Sequence, residues 1–598
     1  HAMSYRRDPN NPHPPFRHKS TFSEKPYRQS YSSSRARKPA VRAIDPTYSV
    51  SKRLIVAFVI LAAVAAILSL RLLWLQVIDA ENNANRSDAV RTNVLEITPR
   101  RGTIYDRNGV VLATTVDAIN IFCHPKTVPA DKVDELAQFM VDNCGGEFVT
   151  YKDKILANQN FSYLFKGAEA DLGQKILDLG IEGVDYEKTT KRVYPCGSVG
   201  SQVIGILNSE GEAISGLELY YNDILGGSLG ERTIMYSREG VPVPGSETIT
   251  QEAVAGKDIV VSIDVGLQEQ VETALALRVK DIDGKAGSGI VMDARSGEIY
   301  ACASDPLFDI TDLSEIKEGA TNLSGISSAF EPGSIFKPAI MLAALEAGTT
   351  QAGQSYYCPA SIKVGEYTIT DSHERAAMDM DTSKIMADSS NIGMSLIAKD
   401  LGAEKMSEYL NKYQIIGKTE VDYPGEASGS LSDWNSWSVV QMYNISFGQG
   451  VMTTPLNVVR FYGAIANDGV MCQPHFLIDI PTEEAPRVYE TQTVIENKQA
   501  LDDLTEMMEA VVEDGTATQA QIKGFKIAGK TGTAEIADSA GGYKKNIYNI
   551  SFVGFIPDAS LELVCFVGAT DVPAERKTVP AFKDIMSYAI ERYDITQK

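Results

Sequence analysis

The most informative segment of this chain is Glu331-Pro332-Gly333-Ser334-Ile335-Phe336-Lys337-Pro338. A Pro-Gly pair interrupts the chain just before the serine, and an apolar run with helical character follows at residues 340–345. This context predicts that Ser334 lies at a helix N-terminus. Lys337, three residues on, then lies on the same helix face within reach of it. The other Ser-x-x-Lys spacings, at residues 49–52 and 314–317, lack this context.

The Ser334 and Lys337 pair indicates nucleophilic catalysis. A serine hydroxyl is a weak nucleophile until a base takes its proton, and a lysine is such a base only as the neutral amine. The pKa of Lys337 must therefore fall from about 10.4 towards neutrality, through burial or through a nearby charge such as Lys530. Taken alone, a capping serine with a solvated lysine is the simpler interpretation. The prediction therefore depends on two further motifs.

The second motif is Ser389-Ser390-Asn391, between two apolar stretches with helical character. Ser389 could relay a proton between Lys337 and a leaving amine, and Asn391 could both accept from and donate to a substrate amide. In isolation, a capping turn is the better interpretation of this sequence.

The third motif is Lys530-Thr531-Gly532-Thr533, which follows a strand-like segment. A glycine inside a strand often marks close approach of a ligand or of another backbone, and an extended substrate could pair along such an edge. Lys530, Thr531 and Thr533 offer one charge and two hydroxyls to a terminal carboxylate. The Thr533 N–H could join that of Ser334 as an oxyanion hole.

Other kinds of catalytic site have little support. A Ser-His-Asp triad needs a histidine, and only His124, His373 and His475 lie beyond residue 53. His373, in a polar loop, is interpreted as structural. The Cys123-His124 doublet has no second pair at zinc spacing, and the chain has no phosphate-binding loop and no convincing dinucleotide fingerprint. We therefore predict no cofactor and no metal.

Charge and hydropathy divide the chain at a membrane anchor. Residues 1–53 hold twelve Lys or Arg against three Asp or Glu, although the whole chain has a net charge of −22. Their proline and serine content predicts disorder. Leu54 to Leu70 contains one polar residue, and residues 54–78 are long enough for one transmembrane helix. Lys52 and Arg53 place the N-terminus in the cytoplasm by the positive-inside rule, with the remainder outside.

Beyond the anchor, two sections follow at residues 79–255 and 256–598. The first mixes short strands with amphipathic helices and shows no catalytic constellation. The second has strand patterns at both ends of a helix-rich middle, which predicts an α+β fold with a sheet built from distant segments. All three motifs lie in it. Its acidic character argues against nucleic acid as a partner, and seven cysteines without framework spacing exclude a disulfide-dense scaffold.

With these residues in hand, the chain closely resembles a class B, monofunctional penicillin-binding protein. The three motifs match the S-x-x-K, S-x-N and K-T-G set of penicillin-binding proteins and serine β-lactamases. Further similar segments are Arg101 to Gly109, Arg192-Val193-Tyr194-Pro195, Gly216-Leu217-Glu218, Ser446 to Gly450, Thr454-Pro455-Leu456 and Phe552 to Phe555. The resemblance implies an elongated, non-catalytic mixed pedestal domain at 79–255. It also implies a transpeptidase domain at 256–598, an antiparallel sheet with helices.

The resemblance implies a serine acyl-enzyme D,D-transpeptidase that cross-links peptidoglycan stem peptides and is acylated by β-lactams. Ser334 would be the nucleophile, Lys337 the general base, Ser389 the proton relay and Asn391 a substrate amide contact. The third motif would bind the substrate carboxylate and pair with the extended substrate along the strand edge, through Lys530, Thr531, Gly532 and Thr533. The pedestal residues Arg101, Asp106, Arg107 and Glu218 are interpreted as interdomain structure.

The resemblance also implies partners and leaves alternatives. The section 79–255 has no glycosyltransferase signature, so a polytopic membrane glycosyltransferase is expected as a partner, together with division proteins. Glu331 is more similar to the septal, cell-division branch than to the elongation branch. A D,D-carboxypeptidase or β-lactamase would pass the acyl group to water. A β-lactam sensor or a catalytically silent division scaffold are the remaining alternatives.

Overall fold

The structure is a computed structural model, and it describes residues 46–78, 92–235, 245–537, 543–573 and 576–598. The tail predicted to be disordered lies outside these ranges up to residue 45. The chain divides into two compact units, one up to Val90 and one from Arg91 to Lys598.

The first unit contains a single long helix in its described part. Helix α1, Pro46–Leu73, continues into a wider π-helical turn, Trp74–Ile78. Residues 46–53, assigned above to the tail, are therefore helical. Within it, Lys52–Val77 is 26 residues long with a mean hydropathy of 2.7 and is not buried against other parts of the chain. This helix is long and apolar enough to span a membrane once.

The second unit begins with the pedestal, built from short strands and helices. Its elements, in chain order, are β1 Thr92–Ile97, β2 Ile104–Tyr105, β3 Val111–Cys123, α2 Val133–Cys144, α3 Phe148–Ile155, β4 Ser162–Glu169, α4 Leu172–Asp178, β5 Val184–Val193, α5 Ser201–Ile204, α6 Gly216–Tyr220, α7 Asn222–Leu225, β6 Gly230–Met235 and β7 Thr248–Gln251. Strand β3 pairs antiparallel with β2, β4 and β5. Helices α2 to α4 bury an apolar cluster beside these strands, which includes Ile121, Leu136 and Leu164.

The rest of the chain forms the larger catalytic section. Its elements are β8 Ile259–Val261, α8 Val265–Asp281, β9 Ala286–Asp293, β10 Ile299–Asp305, α9 Ser324–Ser327, α10 Lys337–Glu346, β11 Ser355–Cys358, β12 Ile362–Val364, β13 Tyr367–Ile369, β14 Met378–Asp381, α11 Thr382–Ala387, α12 Asn391–Leu401, α13 Ala403–Lys412, α14 Val439–Ser446, α15 Pro455–Ala466, β15 Val470–Cys472, β16 Leu477–Asp479, β17 Thr491–Thr493, α16 Lys498–Glu513, β18 Ala528–Ala537, β19 Tyr543–Phe555, β20 Leu563–Pro573 and α17 Val579–Tyr593.

A five-stranded antiparallel sheet organises this section, in the order β10-β9-β20-β19-β18. Because side chains alternate along a strand, successive residues of β9 face the helices on opposite sides of the sheet. Gly287 and Gly289 leave room for α8, where an added Cβ would meet Val279 and Val271. On the other face, Met292 lies against Gly463 of α15. The sheet is thus covered on both faces, and the predicted α+β fold with an antiparallel sheet and helices is confirmed.

The pedestal and the catalytic section share structure at their junction. Strand β8 pairs parallel with β2 of the pedestal and antiparallel with β16 of the catalytic section. The boundary predicted at residue 255 therefore falls just before a strand that joins the pedestal sheet.

Candidate active site

Ser334 lies in a 3₁₀ turn, Gly333–Phe336, which leads directly into α10. Gly333 has φ +58°, and a Cβ there would lie 2.7 Å from the Thr533 carbonyl oxygen, so the turn and β18 approach closely because this residue has no side chain. The Gly333 N–H donates to the Gly448 carbonyl at 3.0 Å. Ser334 itself is half-buried at this meeting point.

Helix α10 buries Lys337 completely. Residues 337–345 are all buried, as expected for a helix that is apolar on every side. The Lys337 ammonium nitrogen lies 2.5 Å from the Ser389 carbonyl oxygen, 3.1 Å from Ser389 Oγ and 2.8 Å from Asn391 Oδ1. The first two motifs therefore meet at one nitrogen atom.

Burial makes Lys337 a suitable base. Loss of hydration disfavours the ammonium form and lowers the pKa of Lys337 to about 7, although the charge of Asp371 opposes this fall. At neutral pH a substantial fraction of Lys337 is then the free amine, which can accept a proton from a serine hydroxyl.

The second motif occupies a tight corner between α11 and α12. Ser389 has φ +58°, an uncommon value for a residue with a side chain. Ser390 then caps α12, where its Oγ accepts from the Gly393 N–H at 2.9 Å. The sequence-level interpretation of a capping turn is therefore also correct for Ser390, while Ser389 and Asn391 project towards Lys337.

The third motif lies on β18, the edge strand beside the turn that holds Ser334. A Cβ at Gly532 would lie 3.1 Å from the Pro332 carbonyl oxygen and 3.0 Å from Ile335 Cγ2. Thr533 is exposed, Thr531 is half-buried and Lys530 is buried. The backbone of β18 at Gly532 and Thr533 therefore lies against the turn that holds Ser334.

The second site lysine, Lys530, is affected by the first. Burial lowers the pKa of Lys530 well below its usual value, and the charge of Lys337 lowers it further. Of the two expected causes of a lowered pKa at Lys337, burial is therefore the one that acts, and the effect of charge between the lysines falls on Lys530.

Sequence reasoning did not find Asp371 as part of the site. Its carboxylate accepts from Ser390 Oγ at 3.0 Å and from the Ile392 N–H at 3.0 Å, and it forms an ion pair with Arg375. Thr370, beside it, accepts from Asn391 Nδ2 at 3.1 Å. No sequence pattern marks Asp371, because contacts across about 20 residues leave no periodic signal.

Thr516 was also missed. Its Oγ1 lies 2.8 Å from Thr531 Oγ1, and its N–H donates to the Ala387 carbonyl at 3.2 Å. Thr516 therefore connects the corner that holds the second motif to the strand that holds the third. Glu331 has a related supporting contact, because its Oε1 accepts from the Gly450 N–H at 2.9 Å.

The pedestal residues interpreted as interdomain structure contact one another and the catalytic section. Arg101 and Arg192 both form ion pairs with the fully buried Glu218, at 2.5 and 2.7 Å. Asp106 accepts from the Val110 N–H at 2.8 Å, and Arg107 pairs with Glu298 of the catalytic section at 2.9 Å. These contacts agree with a structural role.

Comparison with known families decides the affiliation of this site. The penicillin binding protein transpeptidase domain matches residues 287–587, a range that contains all three motifs. The chain belongs to the penicillin-binding protein family. The penicillin-binding protein dimerisation domain matches residues 96–261, which include the pedestal strands β2 to β7. The resemblance drawn from the sequence is confirmed.

Relatives of this penicillin-binding protein match along most of its length. The probable peptidoglycan D,D-transpeptidase PbpC of Pseudomonas aeruginosa is 30% identical, over 89% of this chain and 94% of its own. The penicillin-binding protein PbpB of Mycolicibacterium smegmatis is 29% identical, over 89% of both chains. Among solved structures, penicillin binding protein 2X from Streptococcus thermophilus has a TM-score of 0.71 at 26% identity, covering 83% of this chain and 80% of that one.

Proposed function

We propose that this penicillin-binding protein is a peptidoglycan D,D-transpeptidase that works through an acyl-enzyme on Ser334. The observation that carries the proposal is the buried amine of Lys337, whose pKa is lowered to about 7, directly after the turn that holds the half-buried Ser334. A serine with a poised base at a helix N-terminus is suited to acyl transfer.

In the acylation step, the free amine of Lys337 takes the proton of the Ser334 hydroxyl. The Ser334 oxygen attacks the penultimate D-Ala carbonyl of a stem peptide, and the backbone N–H groups of Ser334 and Thr533 stabilise the oxyanion. Ser389, in contact with Lys337, relays the proton to the departing amine. The peptide bond breaks, the terminal D-Ala leaves, and an ester to Ser334 remains.

In the second step, an amine of a neighbouring stem peptide attacks this ester. Its proton passes to Lys337 by the reverse of the same relay, a new amide forms and Ser334 is released as the alcohol. A β-lactam presents a strained amide to the same serine and leaves a longer-lived ester. Both reactions need no group beyond those of the protein and its substrates.

Substrate binding is assigned to the exposed edge of β18. An extended stem peptide adds to this edge as a strand, its terminal carboxylate is received by Lys530, Thr531 and Thr533, and Asn391 contacts a substrate amide. Gly532 allows the strand to lie close to the nucleophile turn.

The proposed cellular setting is supported by the anchor and by the relatives. We place the N-terminus in the cytoplasm, because Lys52 and Arg53 precede the apolar segment, and the catalytic section outside. The peptidoglycan D,D-transpeptidase FtsI of Escherichia coli is 27% identical over 90% of this chain. Together with Glu331, this favours a role in septal wall synthesis, with a polytopic membrane glycosyltransferase and other division proteins as partners.

Product analysis tests this function. Detergent-solubilised protein is incubated with a stem peptide ending in D-Ala-D-Ala, with and without a second stem peptide that offers an amine. The proposal predicts a cross-linked dimer and free D-Ala, both lost in Ser334→Ala. Release of D-Ala without a dimer would instead identify a D,D-carboxypeptidase, and no product from any donor would indicate a catalytically silent scaffold.

A further inference from the structure

We infer that Lys577 is a positioning residue for the carboxylate end of the substrate site, where it acts through Thr516 on the hydroxyl of Thr531. The inference rests on the proposed function, because it concerns how the same site holds its anionic ligand. Lys577 lies outside the three motifs, between β20 and α17.

A short chain of contacts connects Lys577 to the third motif. The Lys577 ammonium nitrogen lies 2.7 Å from the Thr516 carbonyl oxygen. The hydroxyl of the same threonine lies 2.8 Å from that of Thr531. Two hydrogen bonds therefore separate an exposed cation from a hydroxyl that is proposed to receive the carboxylate.

Further hydrogen bonds hold Lys577 and Thr516 in place. Arg278 of α8 donates to the Lys577 carbonyl through Nε at 2.7 Å and through Nη2 at 2.5 Å, which fixes the backbone of the lysine. Thr516 is held from the other side by its N–H bond to Ala387, at the end of α11. A Cβ at the preceding Gly515 would lie 2.5 Å from that same Ala387 oxygen, so the segment fits closely against the corner of the second motif. Thr516 therefore contacts Thr531 of the third motif, the residue Ala387 next to the second motif, and Lys577.

An additional cation would strengthen the binding of a carboxylate at this site. Lys337 and Lys530 are both buried, burial lowers the pKa of each, and the charge of Lys337 lowers that of Lys530 further, which leaves less positive charge for a carboxylate. Lys577, in contrast, is exposed to solvent. A cation on the solvent side of Thr516 then draws the anionic ligand towards Thr531, with a strength that salt reduces.

The test separates binding from chemistry in the detergent-solubilised full chain. Acylation by benzylpenicillin is followed over a range of concentrations in wild type and in Lys577→Gln, at low and at high salt. The dissociation constant of the initial complex is expected to rise about two- to fivefold in the variant, the range for one screened ion contact. The rate constant for acylation of the bound ligand should stay within about twofold, and the variant should lose part of the salt dependence of binding.

Controls distinguish positioning from a general structural effect. Lys577→Arg should restore most of the binding, while Lys583→Gln, at an exposed lysine of α17, should behave as wild type. Thr516→Val should also weaken binding. Because Lys577 is proposed to act through Thr516, adding Lys577→Gln to Thr516→Val should have little further effect. An unchanged dissociation constant and salt dependence in Lys577→Gln would overturn this inference alone. A wild-type protein that forms no Ser334 adduct would overturn the proposed function as well.

Discussion

At the scale of single residues, the proposed acyl transfer depends on one buried lysine. Lys337 contacts three acceptors and no carboxylate, so burial dominates and the pKa falls to about 7. The unfolded chain, with a lysine pKa of about 10.4, binds more protons between these values. Stability should therefore rise with pH from about 7 to about 10. The site thus exchanges some stability near neutral pH for a competent base.

The first prediction concerns the pH dependence of acylation. The rate constant for acylation by a penicillin should fall about tenfold per pH unit below about pH 7, because only the free amine of Lys337 acts as base. Stopped-flow measurement between pH 5.5 and 8.5 should give an apparent pKa near 7, the value of Lys337. A flat profile would exclude Lys337 as the base.

The second prediction concerns Asp371, whose charge raises the pKa of Lys337 against the effect of burial. Asp371→Asn keeps a hydrogen-bond acceptor for Ser390 and removes the charge, so the pH profile of acylation should move to lower pH. The matched control is Glu374→Gln, at an exposed carboxylate three residues on, which should leave the profile in place. A shift to higher pH in Asp371→Asn would contradict the electrostatic assignment.

At the scale of elements, the sequence predicts those turns and strands that depend on neighbouring residues. The turn that holds Ser334 and the strand that holds Lys530 each followed from neighbouring residues: a Pro-Gly break before an apolar run, and a strand-like approach to the K-T-G sequence. The contacts of Lys337 with Ser389 and Asn391 bridge more than 50 residues. Tertiary packing alone creates these contacts and those of Thr516. The resemblance, rather than periodicity, anticipated that the motifs converge.

The third prediction concerns the approach of β18 to the nucleophile turn. In Gly532→Ala the new methyl group would overlap Ser551 Oγ and press on the Pro332 carbonyl oxygen, so the strand must move away from Ser334. Overpacking of this kind costs about 1–3 kcal/mol. Acylation should slow by about tenfold or more, as measured with a fluorescent penicillin.

A second substitution checks the cause of this loss. Because Ser551 Oγ is the atom nearest to the new methyl group, Gly532→Ala combined with Ser551→Ala should recover part of the acylation rate. If the double variant were slower than Gly532→Ala, steric displacement of β18 would be the wrong explanation.

At the scale of the whole molecule, the pedestal and the catalytic section are joined by buried polar contacts. Gln202 of the pedestal donates to the carbonyls of Ser304 and Ala320 at 2.9 and 2.7 Å and accepts from the Ser304 N–H at 2.8 Å. Tyr221 donates to the buried Asp422 at 2.5 Å. With β8 shared between sheets, these contacts predict that the two sections lose structure together on unfolding.

The fourth prediction tests this junction. Gln202→Ala leaves several buried backbone groups without partners, at about 1–3 kcal/mol for each one that stays unsatisfied. The thermal unfolding midpoint of the full chain should therefore fall clearly. Gln174→Ala, at an exposed glutamine of α4, should change it little. Equal midpoints for the two variants would show that the junction contributes little to stability.

The role of Ser334 as nucleophile is tested by the intact mass of the protein after incubation with benzylpenicillin, with Ser334→Ala in parallel. We expect a slowly decaying adduct of one penicillin per chain on wild type, located by peptide mapping on Ser334, and none on Ser334→Ala. An adduct that persists in Ser334→Ala would contradict the assignment of the nucleophile, and rapid turnover without a stable adduct would indicate a β-lactamase instead.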